Sequence, residues 1–259
     1  MITSSANAKV KQVMNLSKKA KARKLSGLFV AEGLRMFKEI PGDKIHSVFV
    51  SESFIKDEAH KKLLSGKEYE TVADDVFKTI SDTQTPQGIL ALVRQYAYTE
   101  KDLLHAPGAA FLMILENIQD PGNLGTILRA GEGAGITGVL MNETTADIYN
   151  PKVIRSTMGS ICRVPFVYTG DLQAALRVLK AGGVRLYAAH LNGRNNYEKE
   201  DYTVDTGFLI GNEANGLTEE TAAMADVCVK IPMKGKVESL NAAVAASVLM
   251  FETARQRRR

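Results

Sequence analysis

The chain has 259 residues, of which 45% are hydrophobic and 24% charged, with a formal net charge of +4. This is the composition of a soluble globular protein of one large or two smaller domains. No run of about 18 uncharged apolar residues occurs, which excludes a membrane helix, and two cysteines, Cys162 and Cys228, exclude a disulfide framework.

Taken in chain order, residues 9–24 are helical in pattern, with Val10, Val13, Met14 and Leu16 on one side. A strand over 27–33, a short helix over 34–40 and a strand over 45–50 follow. A charged helix near 56–64, a strand over 69–72, a helix over 74–80 and a strand over 88–93 complete a small α/β sandwich. Residues 95–108 are mixed in character and contain Pro107, the best boundary. A continuous apolar run, F-L-M-I-L-E (111–116), then suits a central strand buried on both faces. Helix 124–134, strand 137–141, helix 151–159, strand 163–167 and helix 171–181 lead to strands over 185–189, 207–210 and 227–231. A last helix covers 240–255. Alternation of this kind is the α/β class.

Charge is uneven along the chain. Residues 1–40 hold nine lysines and arginines against two glutamates, and the chain ends R-Q-R-R-R (255–259). Clustered cations suit a polyphosphate partner, because each phosphate contact releases condensed counterions; the competing reading is a solvated helix face and a frayed tail. Cys228 sits between Val227 and Val229 and Cys162 follows Ile161, and both are expected as buried thiols. The N-terminal residues lack the basic-then-apolar order of a secretory signal, so a cytoplasmic location is expected.

Several chemistries find no support. His46, His60, His105 and His190 are not at metal-ligand spacing, so no metal site is expected. P-loop and nucleophile-elbow motifs are absent. Gly131, Gly133 and Gly135 follow a helical run and lack the third glycine of a dinucleotide fingerprint; close helix–sheet packing and a left-handed cap at Gly135 are expected there.

Three blocks remain: N-I-Q-D-P-G-N-L-G-T-I-L-R (117–129), L-I-G-N-E-A-N-G-L (209–217) and I-P-M-K-G-K-V-E-S-L-N (231–241). Each follows a short apolar run and is rich in Gly, Asn or Pro, the residues of loops that expose backbone donors and acceptors. Asn123 is expected to cap the first helix. Gly125, Arg129 and Gly133 then align at i, i+4 and i+8, leaving room beside a guanidinium suited to gripping phosphate. Three such loops at strand ends point to one pocket at the carboxyl edge of the sheet.

D-P-x-N-x-G-x-x-x-R, I-G-N-E-x-x-G-L and I-P-M-x-G-x-x-x-S-L-N, in this order, resemble the SpoU branch of the SPOUT RNA 2′-O-ribose methyltransferases. The N-terminal I-T-S-S-A-N-A-K-V-K, the basic helix and F-V-A-E-G-L-R resemble the substrate-binding domain of the ribosomal-RNA members. The resemblance implies an RNA-binding domain over 1–97, like RNA-binding ribosomal proteins in fold, a linker over 98–108, and a trefoil-knotted α/β SPOUT domain over 109–259. It further implies a homodimer using S-adenosylmethionine.

By motif position, cofactor contacts fall on Ala189, His190, Leu191, Gly211, Asn212, Glu213, Ile231, Met233 and Leu240. Arg129 matches the catalytic arginine, and Asn123, Glu213, Ser239 and Asn241 its companions. Lys9, Lys11, Lys18, Lys19, Lys21, Arg23, Lys24 and Arg155 are the candidate RNA contacts. The implied activity is ribose 2′-O-methylation of a guanosine in large-subunit (23S) ribosomal RNA. A resistance methylase acting on ribosomal RNA, or a non-catalytic RNA-binding or ribosome-assembly protein, are the alternatives.

Overall fold

A computed structural model describes residues 1–104, 108–191 and 193–258. His105 and Pro107 of the expected linker, and the terminal Arg259, lie outside the described residues. Two compact units result: Met1–Tyr96 with Asp147–Cys162, and Ala97–Ala146 with Arg163–Arg259. The division expected at 98–108 is thus not a single cut, because residues 147–162 group with the first unit.

The first unit contains α1 (Ala8–Lys18), α2 (Ala20–Ser26), β1 (Leu28–Glu32), α3 (Leu34–Glu39), β2 (Ile45–Ser51), α4 (Glu58–Leu63), β3 (Glu70–Val72), α5 (Asp74–Ile80) and β4 (Ile89–Arg94). Its sheet has the order β1-β4-β2-β3 and is antiparallel except for β2–β3. Val10, Val13 and Leu16 of α1 pack with Val76, Phe77 and Ile80 of α5 over Phe49, Leu90 and Leu92. Each such side chain contributes about 1.5–3 kcal/mol on full burial.

The single helix expected over 9–24 is broken at Lys19, which is extended (φ −124°, ψ 113°). No Gly or Pro marks the break. Its cause is Arg23, only 4% exposed, whose guanidinium donates to the Leu16 and Ser17 carbonyls at 2.6 and 3.2 Å. These are the carbonyls a helix end leaves open. Arg23 Nε also donates to Asp147 Oδ2 at 2.8 Å, which helps hold residues 147–162 in this unit. The Tyr149 ring packs on Phe29 at 4.8 Å.

In chain order the remaining elements are α6 (Glu100–Leu104), β5 (Phe111–Leu115), α7 (Pro121–Ala134), β6 (Gly138–Asn142), α8 (Pro151–Thr157, in the first unit), β7 (Phe166–Thr169), α9 (Leu172–Ala181), β8 (Arg185–Ala189), β9 (Asn195–Asn196), β10 (Thr206–Ile210), α10 (Glu219–Ala223), β11 (Val227–Lys230) and α11 (Ala242–Arg257). The second unit's sheet is parallel throughout, in the order β7-β6-β5-β10-β8-β11-β9. β5 is buried along its length, as the apolar run predicts. From β5 the chain builds outward through β6 and β7, then crosses to β8 on the other side. β5 and β10 therefore flank the topological switch point of the sheet.

Three expectations change here. Asp120, not Asn123, caps α7: its carboxylate accepts the Asn123 amide at 2.8 Å, with Pro121 in the first turn. Gly135 is left-handed (φ 85°) as expected, but the glycines before it serve helix–helix packing. A Cβ on Gly131 would lie 2.3 Å from Ile136 Cδ1 and 3.3 Å from Met250 Sδ of α11. Cys162 and Cys228 are half-buried rather than fully buried.

The basic tail is also largely committed. Arg257 donates to the carbonyls of Ala109, Ala110, Tyr202 and Val204 at 2.6–2.9 Å and lies over the Phe111 ring. Arg255 pairs with Glu252 at 2.7 Å. Arg257 thus fastens α11 to the segments before β5 and β10, while the pair of Arg255 lies within the helix.

Candidate cofactor pocket and active site

The carboxyl ends of β8, β10 and β11 open into a cavity of about 770 Å³. That volume lies within the range of small-molecule sites, about 300–1,000 Å³. Its walls are the segments 189–191, 210–217 and 229–233, closed by 238–240 and the first turns of α11. Ile210, Leu217, Ile231, Met233, Leu240 and Leu249 supply apolar surface, while Asn196, Glu238 and Ser239 supply polar groups.

The wall formed by 211–217 is a closed loop. Asn212 and Gly216 exchange backbone hydrogen bonds at 2.9 Å, and Asn212 Oδ1 accepts the amides of Ala214 and Asn215. This closure requires glycine at 211, since a Cβ there would sit 2.1 Å from the Gly216 carbonyl carbon. Gly216 itself is left-handed (φ 70°).

Glu213 ties this loop to the first block. Its carboxylate accepts the amides of Gln119 (3.1 Å) and Asp120 (3.0 Å) and the Asn123 side-chain amide (2.9 Å). Burial opposes ionisation, but the hydrogen bonds from Asn123, Gln119 and Asp120 outweigh it and hold the carboxyl below its usual range. Asn123 in turn accepts from Asn241 Nδ2 at 2.9 Å, while Asn241 Oδ1 caps α11 through the amides of Ala243 and Val244. A polar chain Asn241–Asn123–Glu213 thus joins the starts of α11 and α7 to the pocket loop.

The nine residues expected to hold the cofactor all line this cavity: Ala189, His190, Leu191, Gly211, Asn212, Glu213, Ile231, Met233 and Leu240. Of the catalytic candidates, Glu213 and Ser239 line it too. Asn123 is buried behind the wall, and Asn241 reaches it only through Asn123. Arg129 stands exposed on α7 and does not line the cavity; among the described residues it has no ion-pair or hydrogen-bond partner.

Of the RNA candidates, Lys9, Lys11, Lys18, Lys19, Lys21 and Lys24 are exposed, with Lys9 paired to Glu70. Arg155 pairs with Asp82. Arg23 departs from expectation, being buried and fully engaged within its own unit.

Residues that sequence reading missed include Asn196, for which nothing local gave a signal, and Glu116. Glu116 is a charged residue ending an apolar run, and it is 4% exposed beside the pocket loop. Among the described residues no group of three or more His, Cys, Asp or Glu is arranged to hold a metal ion.

Residues 110–251 match the SpoU rRNA Methylase family, and residues 7–91 match the MRM3-like substrate binding domain. The chain is 32% identical over 255 residues to the 23S rRNA (guanosine(2553)-2′-O)-methyltransferase RlmP of Bacillus subtilis, covering 96% of this chain and 97% of that one. An AdoMet-bound rRNA methyltransferase from Sinorhizobium meliloti superposes with a TM-score of 0.85 at 31% identity, over 98% of this chain and 97% of that one. The SpoU methyltransferase AviRb from Streptomyces viridochromogenes, in complex with AdoMet, gives 0.87 at 26% identity, over 97% and 98%. The α/β architecture with its parallel sheet matches theirs, as the motif resemblance implied. With two of its strand-end motifs lining one cavity and the first tied to them through Glu213, the chain belongs to the SpoU rRNA methylase family.

Proposed function

We propose that this protein uses S-adenosylmethionine to methylate a ribose 2′-hydroxyl of RNA, and that a guanosine of 23S ribosomal RNA is its target. The observation that carries this reading is the convergence of segments 189–191, 211–213 and 231–240 on one cavity of cofactor size. Its donor set fits the group, with apolar side chains for a heterocycle, strand-end backbone for its edges, and polar side chains for the amino-acid end.

When bound, S-adenosylmethionine supplies a methyl group made electrophilic by its sulfonium. Gly211 and Gly216 let the loop backbone lie along the cavity, and Glu213 holds that loop to the start of α7. Asn241 and Asn123 carry the same tether to α11. Arg129 grips the phosphate beside the target ribose, orients the hydroxyl and stabilises the negative charge that develops as its proton leaves. A guanidinium is hardly ever deprotonated in proteins, so the proton passes either to the phosphate that Arg129 holds or to Arg129 made unusually acidic by its site.

The proposal includes a homodimer. Val244 and Phe251 are two turns apart on one face of α11 and half exposed. Phe251 lies beside Gly133, one turn beyond Arg129 on α7. A second copy seated on this strip covers its apolar surface and gives Arg129 the surroundings that it lacks in one chain. Domain 1–97 serves as the RNA-binding part, through Lys11, Lys18, Lys19, Lys21 and Lys24, and the protein acts in the cytoplasm.

The test is to map 2′-O-methyl sites across ribosomal and transfer RNA from cells with and without the gene, alongside calorimetry with S-adenosylmethionine. Loss of one guanosine mark in 23S RNA is expected. Loss of no ribose methyl mark, together with no cofactor binding, would favour a ribosome-assembly protein instead.

A further inference from the structure

Glu116 directly follows β5 and is 4% exposed. A carboxylate so buried is costly unless its oxygens are satisfied. Its Oε2 accepts the Thr218 amide at 2.8 Å. Its Oε1 accepts the Thr218 hydroxyl at 2.8 Å and the Thr221 hydroxyl at 2.6 Å. All three donors belong to the segment that leaves the pocket loop and starts α10, where Thr218 is the N-cap. Neither Glu116, Thr218 nor Thr221 lines the cavity.

The arrangement is reciprocal. Glu213, from the pocket loop, accepts two backbone amides of the first block. Glu116, just before the first block, accepts the Thr218 amide and the Thr218 and Thr221 hydroxyls just beyond the far end of the pocket loop. Asn212 Nδ2 adds a third tie, donating to the Asn117 carbonyl at 2.8 Å. Asn117 is one of two non-glycine residues with positive φ among the described residues (58°). The entrance of the loop is thus held by Asn212 and Glu213, and its exit by Glu116.

We infer that Glu116 is a positioning residue of the cofactor pocket: it fixes the exit of the 211–217 loop so that the loop backbone stays aligned along the cavity wall. The inference rests on the reading of the cavity as the S-adenosylmethionine site. Its alternative is a carboxylate that merely anchors α10. A Glu116→Gln side chain keeps the shape but brings an NH₂ against at least one of the three donors, so one tie is lost.

The experiment uses the full chain and measures S-adenosylmethionine binding by calorimetry, KM and kcat on ribosomal RNA, RNA affinity, and melting. For Glu116→Gln, Kd and KM for the cofactor should rise about tenfold, the fold-change of one lost charge-assisted hydrogen bond. Binding stoichiometry, RNA affinity and kcat at saturating cofactor should stay within about twofold of wild type. Thr221→Val removes one donor without changing shape and should raise Kd about threefold, with little further effect in the Glu116→Gln background, since the two share one interaction. If Glu116→Gln does not fold, Thr221→Val carries the test alone. Lowered melting with unchanged Kd and KM would overturn the inference. So would equal losses in kcat and RNA affinity with unchanged KM, or full additivity of the two variants. Failure of the wild-type protein to bind S-adenosylmethionine is a separate outcome: it would overturn the cofactor reading itself, and the inference with it.

Discussion

Replacing Arg23 by alanine separates structural from functional charge within one basic stretch. The Arg23 side chain is 5% exposed and its partner Asp147 30%. The substitution strands the Leu16 and Ser17 carbonyls and the Asp147 carboxylate. Removing one partner of a buried ion pair costs about 3–5 kcal/mol. Asp147 retains some access to water, so the lower end applies, about 3 kcal/mol. At roughly 4 °C per kcal/mol, melting should fall by about 12 °C. Exposed Lys18, Lys19 and Lys21 should behave oppositely. Their charge reversal should leave stability within about 0.5 kcal/mol per site, while weakening RNA binding and flattening its salt dependence. Differential scanning calorimetry and filter binding across a salt series measure both. If Arg23→Ala melts within 2 °C of wild type and loses RNA affinity as the lysine variants do, its assignment as a structural tie is refuted.

Arg129→Lys should lower kcat by about 100-fold, on the scale of losing one group that stabilises developing charge. Cofactor affinity should hold, because Arg129 does not line the cavity; near-normal turnover with unchanged RNA binding rules out a guanidinium-specific role. Gly211→Ala places a Cβ against the Gly216 backbone and should weaken cofactor binding by about 100-fold, the equivalent of ~3 kcal/mol of overpacking. Calorimetric binding within twofold of wild type contradicts the geometric account of the loop. Glu213 has a folded carboxyl value depressed below the ordinary 4.5. Its ionised form therefore adds stability above that ordinary value, and the contribution is lost as pH falls through the lower folded value. The melting advantage of wild type over Glu213→Gln should persist from neutral pH down to 4.5 and shrink below it; an advantage that grows with acid has the wrong sign for this account.

Much of the site was legible in the sequence because its signals are local. A Gly, Asn or Pro cluster after a short apolar run announces a strand-end loop, whatever lies elsewhere in the chain. Gly211 and Gly216, the start of α11 at Asn241 and the buried strand 111–115 were all readable in this way. Even so, local chemistry misassigned one cap. Asp120 and Asn123 are both good N-cap residues, and the tie from Asn123 to Glu213, which lies 90 positions away, gives Asn123 its different role. The break at Lys19 was likewise invisible, because the group that ends α1 is a guanidinium from the following helix.

By itself, then, the sequence determined the α/β class and the three loops, since turn chemistry and apolar periodicity act between near neighbours, and the motif resemblance marked nine of the residues that line the cavity. Only the tertiary structure decided which charges are available. Arg23 meets Asp147 across 124 positions, Glu116 meets Thr218 across 102, and Arg257 meets Ala109 across 148. Desolvation and pairing depend on what the fold brings alongside a side chain. For that reason, an arginine buried as a tie and a lysine exposed to solvent look alike in the linear chain.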